Sequence, residues 1–188
     1  MSNIKKKIQR AKYIKTREKT NKRTHLLILK QVEKLITKSS NIEKNLFHVG
    51  IYWPLKGEID LRPLKNSLNT PIALPCCNQN GSISYRPWLS GPLKKDAAGI
   101  PAPLQERELK PSEISLLLIP AVAIDYHGIR LGYGGGYFDK LRSDPVWESI
   151  ASFVVLPKAC ISRTPLPKDP WDIPFRRWIT EDGEYKTI

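Results

Sequence analysis

The sequence predicts an α/β fold with a mostly parallel sheet, because stretches of helical and of strand-like apolar spacing alternate along the chain. Apolar residues recur at helical spacing over residues 4–19 and again over 26–36. The uninterrupted apolar run Leu116–Ile124 predicts a buried central strand. Strands that alternate with helices favour parallel pairing through right-handed crossovers. Shorter apolar runs predict further strands at Val49–Trp53, Ile72–Pro75, Ala151–Leu156 and Trp178–Thr180, the last at an edge.

The segments between these strands are predicted to be short helices, turns and loops. Residues 60–68 favour a helix with Pro63 near its first turn, and residues 145–150 are predicted to form the end of another helix. Residues 82–86 and the proline-containing stretch after them favour a hairpin or a connecting loop. Residues 90–112 combine proline, glycine and charge, so we expect a long surface excursion there.

Most of the net charge of +13 lies at the start of the chain. Residues 1–38 hold 13 Lys or Arg and 2 Asp or Glu, whereas residues 39–188 are almost balanced. A basic helical segment can bind nucleic acid, but it also attracts anionic small molecules, and we favour the second interpretation. No RNA-binding motif accompanies it. With no repeat or linker, we expect one domain, 1–188, with a basic helical segment at 1–38.

Composition also argues against several classes of protein. No apolar run approaches the roughly 20 residues of a membrane span, and the charged start lacks the apolar core of a secretory signal. Although it shares the basic character of a mitochondrial transit peptide, we expect a cytoplasmic protein. Cys76, Cys77 and Cys160 fit neither a disulfide framework nor a zinc site, so we expect buried thiols in a reducing compartment.

The densest functional signal is a glycine loop, Arg130–Lys140, with four glycines in the five positions 132–136 and tyrosines at positions 133 and 137. It follows the predicted central strand and precedes a helix start, so its bare backbone can present several N–H groups to a phosphate. A tight or flexible glycine turn is the alternative. The loop is neither a P-loop nor the dinucleotide fingerprint, because Tyr137 stands where the third glycine of that fingerprint is needed.

Four blocks in order along the chain resemble the 5-formyltetrahydrofolate cyclo-ligase (5,10-methenyltetrahydrofolate synthetase) family. The most specific runs from Ile119 to Asp139, and Ile51–Asp60, with its Trp-Pro-Leu-Lys-Gly-Glu core, resembles the second marked block. Lys6-x-x-x-Arg10 matches the family's start, and Pro167–Asp172 with Trp178–Glu181 matches its end. The resemblance implies a three-layer sandwich of the NagB/RpiA/CoA-transferase-like type, with a mostly parallel central sheet flanked by helices, and we expect a monomer.

The reaction that this resemblance implies converts 5-formyltetrahydrofolate, including its polyglutamylated forms, to 5,10-methenyltetrahydrofolate with ATP and Mg²⁺. Phosphorylation makes the formyl oxygen a leaving group, and folate N10 then attacks the activated carbon, closes the ring and releases phosphate. Such a site has to align the formyl oxygen with the γ-phosphate and exclude water. Two alternatives remain: a relative that binds ATP or folate without catalysis, and a nucleic-acid-binding module that uses the basic N-terminus.

The resemblance also implies roles for individual residues. Arg130 and Glu58 are the expected catalytic residues, with Arg130 as the charge clamp on phosphate. Asp139 and Asp172 are the expected Mg²⁺ ligands, although Asp139 alternatively caps the following helix. The folate is expected to contact Trp53, Glu58, Tyr133, Gly134, Gly135, Gly136 and Tyr137. The nucleotide is expected to contact Lys6, Arg10, Arg130, Leu131, Gly132, Tyr133, Gly134, Gly135, Gly136, Tyr137 and Phe138.

Several of these assignments have a structural alternative. Lys6 and Arg10 are alternatively exposed helix charges, and Trp53 is alternatively a core side chain. Some family members carry Arg and Lys where this chain has Tyr133 and Gly135, so phosphate binding has to rely more on Arg130 and the N-terminal cations. The chain also has Ala102 where the family often has Glu. The three histidines have no ligand spacing and are assigned no role.

Overall fold

The structure is a computed structural model that describes residues 2–40 and 47–188. Its α-helices are α1 (Ser2–Glu18), α2 (Lys22–Ser40), α3 (Leu64–Ser67), α4 (Tyr137–Arg142) and α5 (Pro145–Glu148). Short 3₁₀ turns lie at Pro111–Glu113 and Lys158–Cys160. Its strands are β1 (His48–Gly50), β2 (Ile72–Cys77), β3 (Ile83–Pro87), β4 (Lys94–Lys95), β5 (Pro101–Ala102), β6 (Ile114–Pro120), β7 (Ala123–Asp125), β8 (Arg130–Leu131), β9 (Ser152–Val155), β10 (Ile161–Ser162), β11 (Arg177–Thr180) and β12 (Gly183–Lys186).

Within the described residues, the main sheet has seven strands in the order β12-β11-β9-β6-β1-β2-β3. Strands β11, β9, β6, β1 and β2 pair in parallel, and the two edge strands, β12 and β3, pair antiparallel. A small sheet of β10, β7 and β8 and a hairpin of β4 and β5 complete the strands. The predicted mostly parallel α/β sheet is confirmed.

Strand β6 shows why a continuous apolar run is needed at the centre. Successive side chains of a strand point to opposite faces, and Leu117 and Ile119 belong to one apolar cluster while Leu116 and Leu118 belong to another. Helices cover both faces. Tyr13 of α1 and Leu141 of α4 lie in the first cluster, and Ile28 and Val32 of α2 lie in the second. The three-layer arrangement follows from this burial of the sheet on both faces.

The two basic helices therefore lie against different faces of the sheet. Both occur where helical spacing predicts them. The outward lysines of α1 and α2 are divided between two layers, because Tyr13 of α1 packs in the first cluster and Ile28 and Val32 of α2 pack in the second. Ile4 and Ile8, which belong to the predicted apolar spacing of α1, are instead 68% and 62% exposed. The net charge of the segment 1–38 is thus distributed over two helix surfaces on opposite sides of the sheet.

Two strand predictions are corrected by hydrogen bonding. The run Leu116–Ile124 is not one strand: β6 ends at Pro120, the Val122 amide donates to the Leu131 carbonyl at 2.8 Å, and β7 then joins the small sheet. Strand β11 is not the edge of the main sheet, because β12 folds back along it. Gly183, at φ +120°, begins β12 in a backbone region that favours glycine.

Other elements are shorter than predicted or differ in kind. The helix predicted over 60–68 is reduced to α3, because the Asp60 carboxylate accepts hydrogen bonds from the Arg62 amide and guanidinium and holds a turn before it. The strand predicted over Val49–Trp53 is paired as β1 only at His48–Gly50. The predicted hairpin after β2 is present, since β3 pairs antiparallel with β2. The 90–112 excursion contains β4 and β5.

We expect Gly50→Ala to destabilise the fold, because neighbouring side chains of the sheet leave no space for a side chain at position 50 of β1. A Cβ at Gly50 lies 2.6 Å from Leu117 and 2.7 Å from the buried Tyr85 ring. Overpacking of this kind costs about 1–3 kcal/mol in the free energy of unfolding, which urea denaturation measures. Gly91→Ala is the matched control, because its Cβ meets the flexible ends of the Gln105 and Glu106 side chains rather than a buried ring. Equal stability of the two variants would contradict this account.

Candidate active site

A largely apolar cavity of about 330 Å³ opens beside the ends of β1, β6 and β8. Ligands of parallel α/β sheets commonly bind at the carboxyl ends of strands. The cavity is bounded by segments that are distant in sequence, including the loop after β1 and the glycine loop. Its lining residues are Tyr52, Trp53, Leu55, Glu58, Pro75, Cys77, Ile83, Asp96, Ala98, Ile100, Pro120, Arg130, Gly132, Tyr133, Gly136, Tyr137, Phe138 and Asp139.

Glu58 supplies a buried carboxylate to this cavity. One of its oxygens, Oε2, accepts a hydrogen bond from the Leu55 amide at 2.7 Å, and its own amide donates to the Leu55 carbonyl at 2.9 Å. Gly57, at φ +79°, makes this tight turn possible. Burial raises the pKa of Glu58, while the Leu55 amide and the guanidinium groups of Arg17 and Arg130 oppose that rise. The second oxygen, Oε1, is not used by the turn.

Next to Glu58 lies an unsatisfied polar group. Tyr52 is 2% exposed and lines the cavity, and its hydroxyl has no hydrogen-bond partner among the described residues. Burial, and then the negative charge of Glu58, raise the pKa of the Tyr52 hydroxyl well above its ordinary value, so it stays protonated. Buried polar atoms are normally paired, by protein, water or ligand. This part of the cavity wall is therefore suited to a ligand with polar groups.

The glycine loop forms another wall, and Arg130 lies folded beneath it. The Arg130 guanidinium donates to the Pro120 carbonyl at 3.1 Å and to the two oxygens of Asp139 at 3.2 and 3.3 Å. A Cβ at Gly132 would lie 2.7 Å from this guanidinium, so glycine is needed there for steric reasons. Gly136, at φ +68°, ends the loop and begins α4. Arg130 and Asp139 thus form an ion pair at the cavity.

Helix α1 brings two more cations to the same region. The Arg10 Nε donates to the Gly132 carbonyl at 2.8 Å, and the Lys6 ammonium contacts Asp169 at 2.8 Å and Asp172 at 2.5 Å. Burial alone would lower the pKa of Lys6, but hydrogen bonds to the two carboxylates outweigh it and raise the pKa. Lys6 and Arg10 therefore face the protein, whereas Lys5, Lys7 and Lys12 are exposed.

The predicted metal ligands are separated into two ion pairs. Asp139 pairs with Arg130, and Asp172 pairs with Lys6 while also accepting the Asp169 amide at 2.7 Å. No group of three or more His, Cys, Asp or Glu side chains suited to a metal occurs in the described part of the chain. Carboxylate oxygens are nevertheless the right donors for Mg²⁺, which binds through one or two of them together with phosphate oxygens and water.

The remaining predicted contact residues fall into two groups. Trp53, Gly132, Tyr133, Gly136, Tyr137 and Phe138 line the cavity. Gly134 and Gly135 are exposed on the loop, and the Leu131 side chain packs in the core instead. Trp53 has both of its predicted environments, because it lines the cavity and also meets Trp88 edge-on at 6.0 Å between ring centroids.

Sequence reasoning missed the wall that the β4–β5 hairpin contributes. Its anchor is Asp96, whose Oδ2 accepts the Cys77 amide at 2.8 Å and whose Oδ1 accepts the Ala98 and Ile100 amides at 2.9 Å. Ala98 and Ile100 then line the cavity. The one local signal was Asp followed three residues later by Gly99, which has φ +75°.

Sequence reasoning also missed Arg17, a buried cation of α1. It is 2% exposed and lies between the Glu58 turn and the glycine loop. Helical spacing gives the signal in retrospect, because Arg17 follows Arg10 by two turns and lies on the same face of the helix.

A buried carboxylate, a glycine loop and inward-facing cations around one apolar cavity define an α/β protein built to bind and process a small molecule. The sequence model of the 5-formyltetrahydrofolate cyclo-ligase family matches residues 2–181, and the chain belongs to that family. It is therefore a ligase of folate metabolism, in the family that converts 5-formyltetrahydrofolate to 5,10-methenyltetrahydrofolate. The sequence-based identification is confirmed.

Individual relatives agree with the family assignment. A 5-formyltetrahydrofolate cyclo-ligase of Haemophilus influenzae is 30% identical over 138 residues, which cover 68% of this chain and 72% of that protein. The enzyme of the same name from Escherichia coli K12 is 29% identical over 143 residues, covering 70% and 76%.

Solved structures resemble the chain over nearly its whole length. The 5,10-methenyltetrahydrofolate synthetase of Aquifex aeolicus superposes with a TM-score of 0.73 at 27% identity, covering 96% of this chain and 92% of that one. The 5,10-methenyltetrahydrofolate synthetase of Mycoplasma pneumoniae gives a TM-score of 0.70, covering 94% and 98%, but at 17% identity it supports the fold alone. Among the described helices, none combines the length and apolar character needed to span a membrane.

We expect Asp96→Ala to loosen the cavity wall selectively. Three amides, those of Cys77, Ala98 and Ile100, lose their acceptor, and each lost hydrogen bond costs about 0.5–1.5 kcal/mol. Hydrogen exchange should therefore accelerate at these amides first. Asp182→Ala, which removes an exposed carboxylate paired with Lys158, is the control. Unchanged exchange at the three amides would show that Asp96 does not hold the wall.

Proposed function

We propose that this chain closes the folate ring in an ATP- and Mg²⁺-dependent reaction, within the cavity between Glu58 and the glycine loop. The observation that carries the proposal is the convergence of a buried carboxylate and a nucleotide-type loop on one largely apolar cavity. A reaction between a bound folate and a γ-phosphate requires both ligands to reach one water-poor space.

The folate end of the site is formed around Glu58. Its free oxygen, Oε1, can accept hydrogen bonds from pterin N–H groups, and the neighbouring Tyr52 hydroxyl can donate to a ligand acceptor. Trp53, Tyr133 and Tyr137 supply aromatic surface on which the flat rings of the substrate can pack. Polyglutamylated folates are strongly anionic, and the basic outer face of α1 would increase their rate of encounter.

The charged side chains at the nucleotide end of the site are paired with one another. Arg130 pairs with Asp139, and Lys6 pairs with both Asp169 and Asp172. With a nucleotide and Mg²⁺ bound, Arg130 and Lys6 would contact phosphate oxygens, and Asp139 and Asp172 would hold the metal. Each of these side chains would then keep a partner of opposite charge in a partly buried place.

When bound, magnesium would neutralise charge on the phosphates. Asp139 and Asp172 would hold it, and Arg130 would stabilise charge at the phosphate that is transferred. The glycine loop would contribute backbone N–H groups and steric access. The apolar lining would exclude the water that competes with the formyl oxygen.

We further propose that the protein functions as a monomer in the cytoplasm and that residues 1–188 form one domain. The N-terminal helices support the small-molecule role over a nucleic-acid role, because their exposed lysines lie on opposite sides of the sheet. Light scattering tests the monomer, and a filter-binding assay with RNA tests the small-molecule role of the helices.

We expect the purified protein to produce the near-ultraviolet absorbance of methenyltetrahydrofolate from 5-formyltetrahydrofolate, ATP and Mg²⁺. Glu58→Gln should raise the folate KM, and Asp139→Asn should lower activity most at limiting Mg²⁺, each by about 10–100-fold, because a charged hydrogen bond or ligand is lost. Asp182→Asn, which alters an exposed ion pair with Lys158, is the matched control.

The same assay separates the rival function. No absorbance change in a protein that binds ATP by calorimetry would overturn the ligase proposal and favour a non-catalytic nucleotide-binding relative. Activity that survives both Glu58→Gln and Asp139→Asn would place the chemistry elsewhere.

We expect Lys6→Ala and Arg10→Ala each to weaken ATP binding, by about tenfold or more, since charge-assisted contacts contribute roughly 1.5–3 kcal/mol. Lys7→Ala is the matched control, because it removes the same charge from the position next to Lys6, on the exposed side of the same helix. Calorimetry at two salt concentrations measures the difference. Equal losses for Lys6→Ala and Lys7→Ala would show that the helix acts only through its general field.

A further inference from the structure

Arg17 is a buried cation of α1 that contacts three other segments. One of its terminal nitrogens, Nη2, donates to the Lys56 carbonyl at 2.9 Å and to the Tyr133 hydroxyl. The other, Nη1, donates to the Ala121 carbonyl at 3.4 Å. The same side chain therefore joins the Glu58 turn, the chain just after β6 and the glycine loop.

The charge of Arg17 is balanced by Glu58. The Arg17 Nη1 lies 4.0 Å from Oε1 of Glu58, and both side chains are almost fully buried. This distance is too long for a hydrogen bond but short for a Coulomb interaction in a poorly solvated place. The oxygen that faces Arg17 is the one that the Leu55 amide leaves free.

The chain around Arg17 is shaped to admit it. A Cβ at Gly57 would lie 3.3 Å from the Arg17 Nε, and the φ of +79° disfavours any other residue there. The Arg17 guanidinium also lies 5.3 Å from the centroid of the Tyr133 ring. Tyr133 is 43% exposed and lines the cavity, so Arg17 holds this loop residue from the protein side.

We propose that Arg17 is a positioning residue that keeps Glu58 ionised for the folate and ties the Glu58 turn to Tyr133 of the glycine loop. The inference rests on the proposed function, because it takes the roles of Glu58 and the loop from there. It adds a residue that neither the motif analysis nor the family resemblance singled out. Through Arg17, one helix connects the two ligand ends of the site, since α1 also carries Lys6 and Arg10.

The ionisation of Glu58 depends on groups from four segments. Arg17 of α1 and Arg130 of β8 favour the carboxylate, whereas Tyr52 and Tyr133 surround it with neutral hydroxyl groups. Burial raises the pKa of Glu58, so removal of Arg17 should raise it further. Protonated Glu58 no longer accepts N–H hydrogen bonds with both of its oxygens, and folate affinity should fall as a result. As the pH is lowered, this fall should begin at a higher pH in the variant than in the wild type.

The test measures the affinity for 5-formyltetrahydrofolate, without ATP, by calorimetry as a function of pH. At low pH, protonation of Glu58 should weaken folate binding, and this fall forms the acid limb of the affinity profile. We expect Arg17→Met to move the acid limb upward by about one pH unit, so that below the limb the variant binds folate about tenfold more weakly than the wild type. Arg17→Lys retains the charge and should keep the limb near its wild-type position. Because a lysine has one terminal nitrogen in place of Nη1 and Nη2, it cannot keep the Ala121 contact together with the Lys56 and Tyr133 contacts, so the same variant should still bind folate at least about threefold more weakly.

A double-mutant cycle separates positioning from a general loss of structure. In a Glu58→Gln background no carboxylate remains at position 58 to titrate, so Arg17→Met should no longer change the pH dependence of folate affinity. The losses of folate affinity caused by Glu58→Gln and by Arg17→Met should therefore not add. An unchanged limb in Arg17→Met, or fully additive losses, would overturn the proposal. If Arg17→Met does not fold, Arg17→Lys carries the test, and wild-type affinity in that variant would overturn it.

Failure of the proposed function gives a different result from failure of this inference. If the wild-type protein binds no 5-formyltetrahydrofolate, the proposed function itself fails. If the wild type binds it and loses affinity in Glu58→Gln but not in Arg17→Met, the folate site stands and only the role of Arg17 is rejected.

Discussion

The burial of β6 on both faces is the constraint on which the site depends. Its side chains fill two apolar clusters, so the strand cannot shift by one residue without reversing both. At the carboxyl end of β6, the Pro120 carbonyl accepts a hydrogen bond from the Arg130 guanidinium, and the Ala121 carbonyl accepts one from Arg17. Two buried cations are thereby fixed to the carboxyl end of the central strand.

These anchored cations explain how flexible segments form a defined site. A loop with four glycines has little conformational preference of its own. Here Arg130 supports it from beneath, Arg10 binds the Gly132 carbonyl, and Arg17 binds Tyr133. The order of the loop therefore comes from arginines that lie outside it or at its first residue. Each guanidinium supplies several donors in a fixed plane, which suits it to this role better than lysine.

The sequence predicted what local patterns encode. Helical spacing located α1 and α2, the apolar run located the centre of the sheet, and the glycine loop and the Glu58 block identified the family. The sequence did not predict the break after Pro120 or the β4–β5 wall, because both depend on hydrogen bonds between distant segments, such as Val122 to Leu131 and Asp96 to Cys77. Arg17 was missed because its burial is a tertiary property, whereas Lys15, Glu18 and Lys19 around it in sequence are exposed.

The wall held by Asp96 has a consequence for how such sites diversify. Ala98 and Ile100 face the cavity from a short hairpin that is joined to the main sheet chiefly by side-chain and backbone bonds around Asp96 and Cys77. Substitutions or small insertions at the tip of this hairpin change the volume available to a ligand but leave the seven-stranded sheet and its buried arginines untouched. The evolution of substrate range is thereby separated from the preservation of the fold.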